Sequence, residues 1–323
     1  MNVFVTGGAG YIGSVGVEEL LNAGHQVTVF DNLTEGHRSA VDERAVFVEG
    51  CLGNADQIRE ALQASGAVAV MHFAANALVG ESMQQPEKYF RNNVANGLNL
   101  LEAARLAGVR KFVFSSTCAT YGPPEIVPIT EAEAQKPINP YGESKLMFER
   151  MLRWYHEIHG LEYVALRYFN AAGASERFGE HHRIETHLIP NVLAVALGQR
   201  DHCEIYGTDY PTPDGTCIRD YIHIIDLAQA HIRALEPGRV GCFNLGNGAG
   251  YSVREVIDAC VRRSGKAIPS VEKPRRPGDP PRLVADARKA RTELGWEPRF
   301  PDLDAIVGSA WAWHQRHPEG YPD

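Results

Sequence analysis

Apolar residues recur in two rhythms along the first half of the chain. Short runs rich in β-branched and aromatic residues predict strands at Asn2–Thr6, Gln26–Phe30, Ala45–Glu49, Val68–Phe73, Lys111–Ser115 and Glu162–Tyr168. Between them, Tyr11–Ala23, Ala55–Ala64, Pro86–Ala107 and Tyr141–His159 carry apolar residues three and four apart, the spacing of helices with one buried face. Strands that alternate with helices imply an α/β fold with a doubly wound parallel sheet, because parallel neighbours need a crossover connection. After Tyr168 the rhythm gives way to segments rich in Gly, Pro and charge, among them Tyr210–Gly215 and Lys273–Pro281. One helix start is legible there, where Ser252 and Glu255 form a capping box ahead of Val256 and Ile257. The pattern predicts a larger domain over residues 1–168 and a smaller α/β lobe over 169–323, with segments crossing between them.

The 323 residues carry 32 Lys and Arg against 40 Asp and Glu, a net charge of -8. That balance argues against a surface adapted to nucleic acid or an anionic membrane, while leaving room for a local phosphate site. The six cysteines are scattered without a Cys-x-x-Cys pair, which implies reduced thiols rather than redox or zinc-knuckle chemistry. No Lys or Arg precedes Arg38, and the apolar stretches are too short and interrupted to span a bilayer, so a cytoplasmic protein is expected.

Gly7, Gly10 and Gly13 follow the first strand and open the first helix. Glycine there permits a tight turn and lets the backbone approach a pyrophosphate at the helix N-terminus. The second strand runs into Asp31, eighteen residues after Gly13, where a carboxylate can accept both ribose hydroxyls of NAD and would repel the extra phosphate of NADP. Asp31-Asn32 would suit a plain turn equally well, so the weight rests on its register with the glycines. Tyr141 and Lys145, four apart, share a helix face. For a phenol to act as a base near neutrality its pKa must fall by about three units, roughly 4 kcal/mol of preference for the anion, which a nearby ammonium helps supply. Ser115, Ser116 and Thr117 follow directly on the strand residues Lys111–Phe114, at the carboxyl edge of the sheet, where open α/β folds bind ligands. Any one of these features is common by chance; their joint occurrence in this order is not.

In that order the residues resemble the extended short-chain dehydrogenase/reductases, and among them the NAD-dependent nucleotide-sugar epimerases. The matching segments run nearly end to end: Val5-Thr6-Gly7-Gly8-Ala9-Gly10-Tyr11-Ile12-Gly13, Phe114-Ser115-Ser116-Thr117, Tyr141-Gly142-Glu143-Ser144-Lys145, Leu166-Arg167-Tyr168-Phe169-Asn170, Arg219-Asp220-Tyr221-Ile222-His223 and the ending His317-Pro318-Glu319-Gly320-Tyr321-Pro322-Asp323. The resemblance implies a Rossmann domain that binds NAD, a lobe that binds a UDP-sugar, and reversible epimerisation of UDP-glucose and UDP-galactose at C4 through a transient 4-keto sugar. It implies Tyr141, Lys145 and Thr117 as the catalytic residues. For the cofactor it implies Gly7, Gly10, Tyr11, Ile12 and Gly13 in the turn, Asp31, Asn32 and Leu52 after the next strands, and Phe73, Ala74, Ala75, Asn93, Ser115, Lys145 and Tyr168 deeper in. For the substrate it implies Thr117, Tyr141, Asn170, His187 and Leu188, then Ile205, Tyr206, Arg219, Arg276 and Asp279. Two arginines beside a pyrophosphate make chemical sense, because guanidinium forks onto phosphate oxygens. A homodimer through Pro86–Ala107 and Tyr141–His159 is implied as well.

The chain departs from the family pattern at several places. Cys51 stands where relatives carry an Asp for the adenine amino group, and a thiol is a poor acceptor. Val15-Gly16 replaces a usual His-Thr; glycine inside a helix costs about 1 kcal/mol relative to alanine unless it permits closer packing. Ala77 occupies a position that is Lys in some relatives, and Leu283 one whose size governs access for N-acetylated sugars, so partial acceptance of UDP-GlcNAc is expected. The resemblance leaves a UDP-GlcNAc/UDP-GalNAc epimerase or a nucleotide-sugar dehydratase as alternatives. Against the dehydratase, Cys118-Ala119 stands where its relatives carry Asp-Glu. A non-catalytic dinucleotide sensor would lack the Tyr/Lys pair. His181, His182, Glu185 and His187 fit no zinc motif by their spacing, and read as a solvated loop without metal.

Overall fold

The computed structural model describes residues 1–276 and 278–323, so one position of the predicted Lys273–Pro281 segment, Pro277, lies outside the described residues. Six strands form where the apolar runs predict them: β1 (Asn2–Thr6), β2 (Gln26–Asp31), β3 (Val46–Glu49), β4 (Ala69–His72), β5 (Lys111–Thr117) and β6 (Glu162–Tyr168). All their pairings are parallel. A seventh strand, Gly241–Leu245, comes from far down the chain and pairs parallel with β6 at the sheet edge. The spatial order is Gly241–Leu245, β6, β5, β4, β1, β2, β3. The order reverses between β1 and β4, and this switch point is where the strands' carboxyl ends open a crevice.

Helices cover both faces and divide the core. On one face Val3, Val5, Val29 and Leu166 pack with Val15, Val17 and Leu20 of the helix Tyr11–Asn22 and with Leu227 of the helix Ile224–Arg233. On the other, Phe4, Val70, Phe112 and Phe114 meet Ile58, Leu101 and Phe148 from three further helices. The helix Ala55–Ser65 starts on Asn54, whose side chain accepts from the amides of Asp56 and Gln57, and ends on left-handed Gly66.

The predicted helix Pro86–Ala107 is not one regular helix. Pro86–Tyr89 is α-helical, Phe90–Asn96 winds with the wider π spacing, and Gly97–Leu106 is α-helical again. Periodicity cannot register such a local widening, which places Asn93 inward. Its amide donates to the Asn76 carbonyl at 3.0 Å and accepts from the Asn76 N–H at 2.9 Å, fastening the loop after β4.

Beyond β6 the chain builds three small sheets: Asn170–Ala172 with Tyr221–His223, Ile218–Arg219 between Tyr251–Ser252 and Arg282–Leu283, and Cys203–Tyr206 with Ser270–Lys273. They share a separate core of Val192, Leu193, Val256, Ile306 and Val307. The predicted capping box is complete: the Ser252 hydroxyl accepts from the Glu255 amide, and the Glu255 carboxylate accepts from the Ser252 amide. Among the described residues no helix is long and apolar enough to cross a membrane, and all six cysteines are free thiols.

Candidate active site

The glycine turn shows which glycines the fold itself requires. Gly7 has φ +74°, and a Cβ there would sit 2.4 Å from the Ala74 nitrogen. At Gly13 a Cβ would lie 2.0 Å from the Gly7 carbonyl oxygen. Gly10 differs: its backbone is extended, and a Cβ would meet nothing closer than that same oxygen at 3.5 Å. The fold does not itself require glycine at Gly10, whose missing side chain leaves the face of the turn open. The helix that starts there has no side-chain cap and no acid in its first turn, so its amide groups face the crevice with no side-chain acceptor. This cradle fits a pyrophosphate. Asp31 ends the second strand beside it, buried, its carboxylate accepting from the amides of Ala9 at 3.0 Å and Leu33 at 2.9 Å. Burial pushes that carboxyl up, and the three backbone donors around it pull it back.

Gly16 answers a question raised by the sequence. A Cβ there would come within 3.1 Å of the Phe73 ring, so the glycine lets Phe73 lie against the first helix. Phe73 and Ala74 are held on the opposite side, both amides donating to the Thr6 carbonyl. Leu52 is buried, its carbonyl accepting from Asn99, whereas Cys51 is exposed with its sulfur taken by the Gly53 amide at 3.4 Å. Ala77 is exposed beyond this crevice.

The hydroxyl trio does not follow β5 as expected but belongs to it, pairing in register with Leu166, Arg167 and Tyr168. Alternation along a strand therefore sends Ser115 and Thr117 one way and Ser116 the other. The Ser115 hydroxyl meets the Tyr168 hydroxyl at 2.5 Å, and Lys145 donates to the Ser115 carbonyl at 2.8 Å. Ser116 donates to buried Glu149 at 2.5 Å.

Tyr141 and Lys145 ride on the helix Pro140–His159, which is started by Asn139 accepting from the Gly142 amide at 2.8 Å and by Pro140 in its first turn. Gly142 brings this turn against the strand end; a Cβ there would meet the Ala119 carbonyl oxygen at 2.5 Å. Tyr141 is thereby brought to the end of β5, where Thr117 favours its phenolate against the cost of burial, and Lys145 lies 5.9 Å above the Tyr141 ring. Burial raises the Tyr141 phenol above its ordinary value and lowers the Lys145 ammonium to about 7, with Glu149 one turn further on opposing the latter. Glu149 is itself clamped by Arg167, whose guanidinium also donates to Tyr121 at 2.8 Å. This buried network leaves no local mark in the sequence, because a lone Glu in a helix and a lone Arg in a strand carry no signal of their pairing.

The second lobe contributes charge. Arg219 pairs with Asp279, and the Arg276 guanidinium lies 4.1 Å above the Tyr206 ring. Arg219 is also within electrostatic reach of Cys118, the residue after Thr117. Asp220, also missed, is fully buried and accepts from the amides of Asn247, Gly248 and Ala285, tying two distant segments to the residue after Arg219. Asn170 is anchored through its amide to the Asp220 carbonyl. Ile205 stands apart: its side chain is buried in the lobe's core, which leaves only its main chain for a ligand. His187 precedes the helix Leu188–Ala196 and is held by Glu180 and Glu185, while Leu188 packs partly on the core. Leu283 packs beside Tyr121 and Ile129.

Residues 3–246 match the NAD dependent epimerase/dehydratase family. The chain belongs to that family. Its likeness to individual members extends end to end. It is 52% identical to the UDP-glucose 4-epimerase of Halalkalibacterium halodurans, over 99% of this chain and 98% of that one. The crystal structure of UDP-glucose 4-epimerase from Brucella ovis in complex with NAD superposes with a TM-score of 0.93 at 49% identity, covering 96% of this chain and 97% of that one. The structure from Bifidobacterium longum in complex with NAD+ and UDP gives 0.95 at 38% identity, covering 99% and 100%. The seven-stranded parallel sheet flanked by helices is thus this family's Rossmann-like scaffold as it occurs in this chain.

Proposed function

We propose that the protein interconverts UDP-glucose and UDP-galactose at C4. The observation that carries this reading is the convergence of Tyr141 and Lys145 on the end of β5, with Lys145 5.9 Å above the Tyr141 ring and donating to the Ser115 carbonyl two residues before Thr117. End-to-end identity to UDP-glucose 4-epimerases supports it.

Residues 1–168 form the NAD-binding part and 169–323 the nucleotide-sugar part, with Gly241–Leu245 returning to the sheet. NAD would lie with its pyrophosphate on Gly7, Gly10, Tyr11, Ile12 and Gly13, its ribose on Asp31 and Asn32, and its nicotinamide end near Ser115, Lys145 and Tyr168. Leu52, Phe73, Ala74 and Ala75 line its path, and Asn93 holds that lining in place. When bound, NAD takes up hydride from C4 and returns it to the opposite face, so redox balances over the cycle.

The chain's own groups do the rest. Tyr141 removes the proton of the 4-hydroxyl and returns it after the sugar turns. Lys145 lowers the cost of the phenolate, and the Thr117 hydroxyl steadies the oxygen on C4 as it becomes a carbonyl. Arg219 and Arg276 hold the diphosphate, with Asp279, Tyr206, Asn170, Leu188 and the main chains of Ile205 and of His187, whose imidazole is turned to Glu180 and Glu185, around the nucleoside. Binding energy concentrated on UDP leaves the sugar free to rotate. The exposed side chains of Met147, Trp154 and Ile158 on one helix, beside Leu98 and Leu106 on its neighbour, support a homodimer through that face.

Incubation with UDP-galactose, UDP-GalNAc and a TDP-sugar, with identification of each product, tests the reading. UDP-glucose is expected from the first; an unsaturated or deoxygenated product, or none, would overturn it.

A further inference from the structure

The segment read from sequence as a solvated loop closes into a compact donor cluster. Glu180, His182, Glu185 and His187 place one ligand atom each within 4.8 Å of all the others. His187 Nδ1 lies 2.9 Å from a Glu180 oxygen and 3.2 Å from a Glu185 oxygen, and His182 Nε2 lies 3.3 Å from the same Glu180 oxygen. We propose that these four side chains form a zinc site that fastens residues 180–187 to the start of the helix Leu188–Ala196.

Three features support a metal over a chance knot of side chains. The first is size. With metal–ligand bonds of about 2.0–2.2 Å, the edges of a tetrahedron measure about 3.3–3.6 Å. Two of the N···O separations, 3.2 and 3.3 Å, lie close to that length and the third, 2.9 Å, is shorter, so the side chains would have to move outward by a few tenths of an ångström to admit an ion. The second is the donor set. Two imidazoles and two carboxylates suit a borderline cation such as zinc, and two carboxylates balance its charge. The Glu180 side chain is only 5% exposed, a position where a carboxylate needs positive charge beside it from a protonated imidazole or a cation, while His182 at 30% leaves a path for entry. The third is the surroundings. His314 lies within electrostatic reach of Glu180 and Glu185, and its buried Nε2 has no hydrogen-bond partner among the described residues. Tyr11 lends its ring edge to His182 but commits its hydroxyl to the Gly173 carbonyl, so it does not compete for the ion.

The sequence pattern concealed the site by grouping the wrong residues. His181 turns away to stack on His37, with ring centres 4.8 Å apart, and Glu180 takes its place. The resulting Glu-x-His-x-x-Glu-x-His order closes only because the chain folds back before the helix. The Glu185 oxygen is already aimed, accepting from the His187 amide at 2.7 Å.

The test is direct. The full chain is freed of metal with a chelator, shown by circular dichroism to remain folded, and titrated with Zn2+ and separately with Co2+. One tightly held Zn2+ per chain is expected, with the intense visible bands of four-coordinate Co2+. His182→Gln should weaken Zn2+ binding roughly a hundredfold while leaving the circular dichroism and NAD content unchanged. A folded chain that takes up no stoichiometric Zn2+ refutes the proposal. So does a His182→Gln variant that holds Zn2+ as tightly as the parent, which would place the ion on other histidines, or a weak six-coordinate Co2+ spectrum.

Discussion

Replacing Tyr141 with Phe removes one oxygen and leaves the ring, which makes it the sharpest probe of the chemistry proposed here. The ring packs edge-on to Tyr89 with centres 6.5 Å apart and sits beneath the Lys145 ammonium at 5.9 Å, contacts that phenylalanine keeps. Folding stability should therefore change by less than about 1 kcal/mol. Catalysis should not survive so well. Burial already raises the phenol above its ordinary value of about 10, so a phenolate at neutral pH demands more than about 4 kcal/mol of preferential stabilisation. That arrangement is useful only if the phenolate takes a proton in the rate-limiting step, where a positioned base is worth about 10²–10⁴ in rate. The expected result is a fall of that size in kcat for UDP-galactose, with little change in KM, because Arg219 and Arg276 still hold the diphosphate. Rates come from timed product separation, and stability from thermal unfolding of the same preparation. A variant that unfolds normally and epimerises within about threefold of the parent would refute the assignment of Tyr141 as the base.

Gly10→Ala and Gly13→Ala should separate fold from cofactor: the first, with its Cβ at 3.5 Å from the nearest atom, should unfold like the parent yet lose bound NAD, and the second, at 2.0 Å, should lose both thermal stability and NAD. Glu149→Gln leaves the Arg167 guanidinium buried without its counter-ion and should cost about 3–5 kcal/mol in denaturant unfolding; a loss below about 1 kcal/mol would mean that the pair is not isolated from water. Asp42 sets an acid limit. Burial pushes its carboxyl up, but hydrogen bonds from Arg44 and the charges of Arg177 and Arg44 outweigh this and hold it at about 2. Its folded value lies below the unfolded value of about 3.9, so its contribution is full above pH ~4 and lost as pH falls from ~4 to ~2. With both arginines partly exposed that contribution is about 1–2.5 kcal/mol. Asp42→Asn should flatten the unfolding midpoint against pH across that range, and an unchanged slope would contradict the pairing.

Local rules in the sequence determined most of the scaffold. A strand or helix declares itself through the two- or 3.6-residue period of its apolar side chains, and β1 to β6 lie within two residues of their expected bounds at either end. The glycine turn, Asp31 and the four-residue spacing of Tyr141 and Lys145 are likewise short-range patterns whose geometry follows from one turn or one helix. Tertiary structure decided everything that depends on which distant residues share a buried space. Gly241–Leu245 joins the sheet because an apolar strand with an open edge finds β6, more than seventy residues upstream. Gly142 and Gly16 matter only because Ala119 and Phe73 arrive beside them. Glu149, Arg167 and Ser116 look ordinary singly, and become one unit because a charge removed from water must be paired. The same reason gathers Glu180 with His182, Glu185 and His187 while His181 turns away. Periodicity states which face of an element is buried; the chain's three-dimensional course alone states what that face meets.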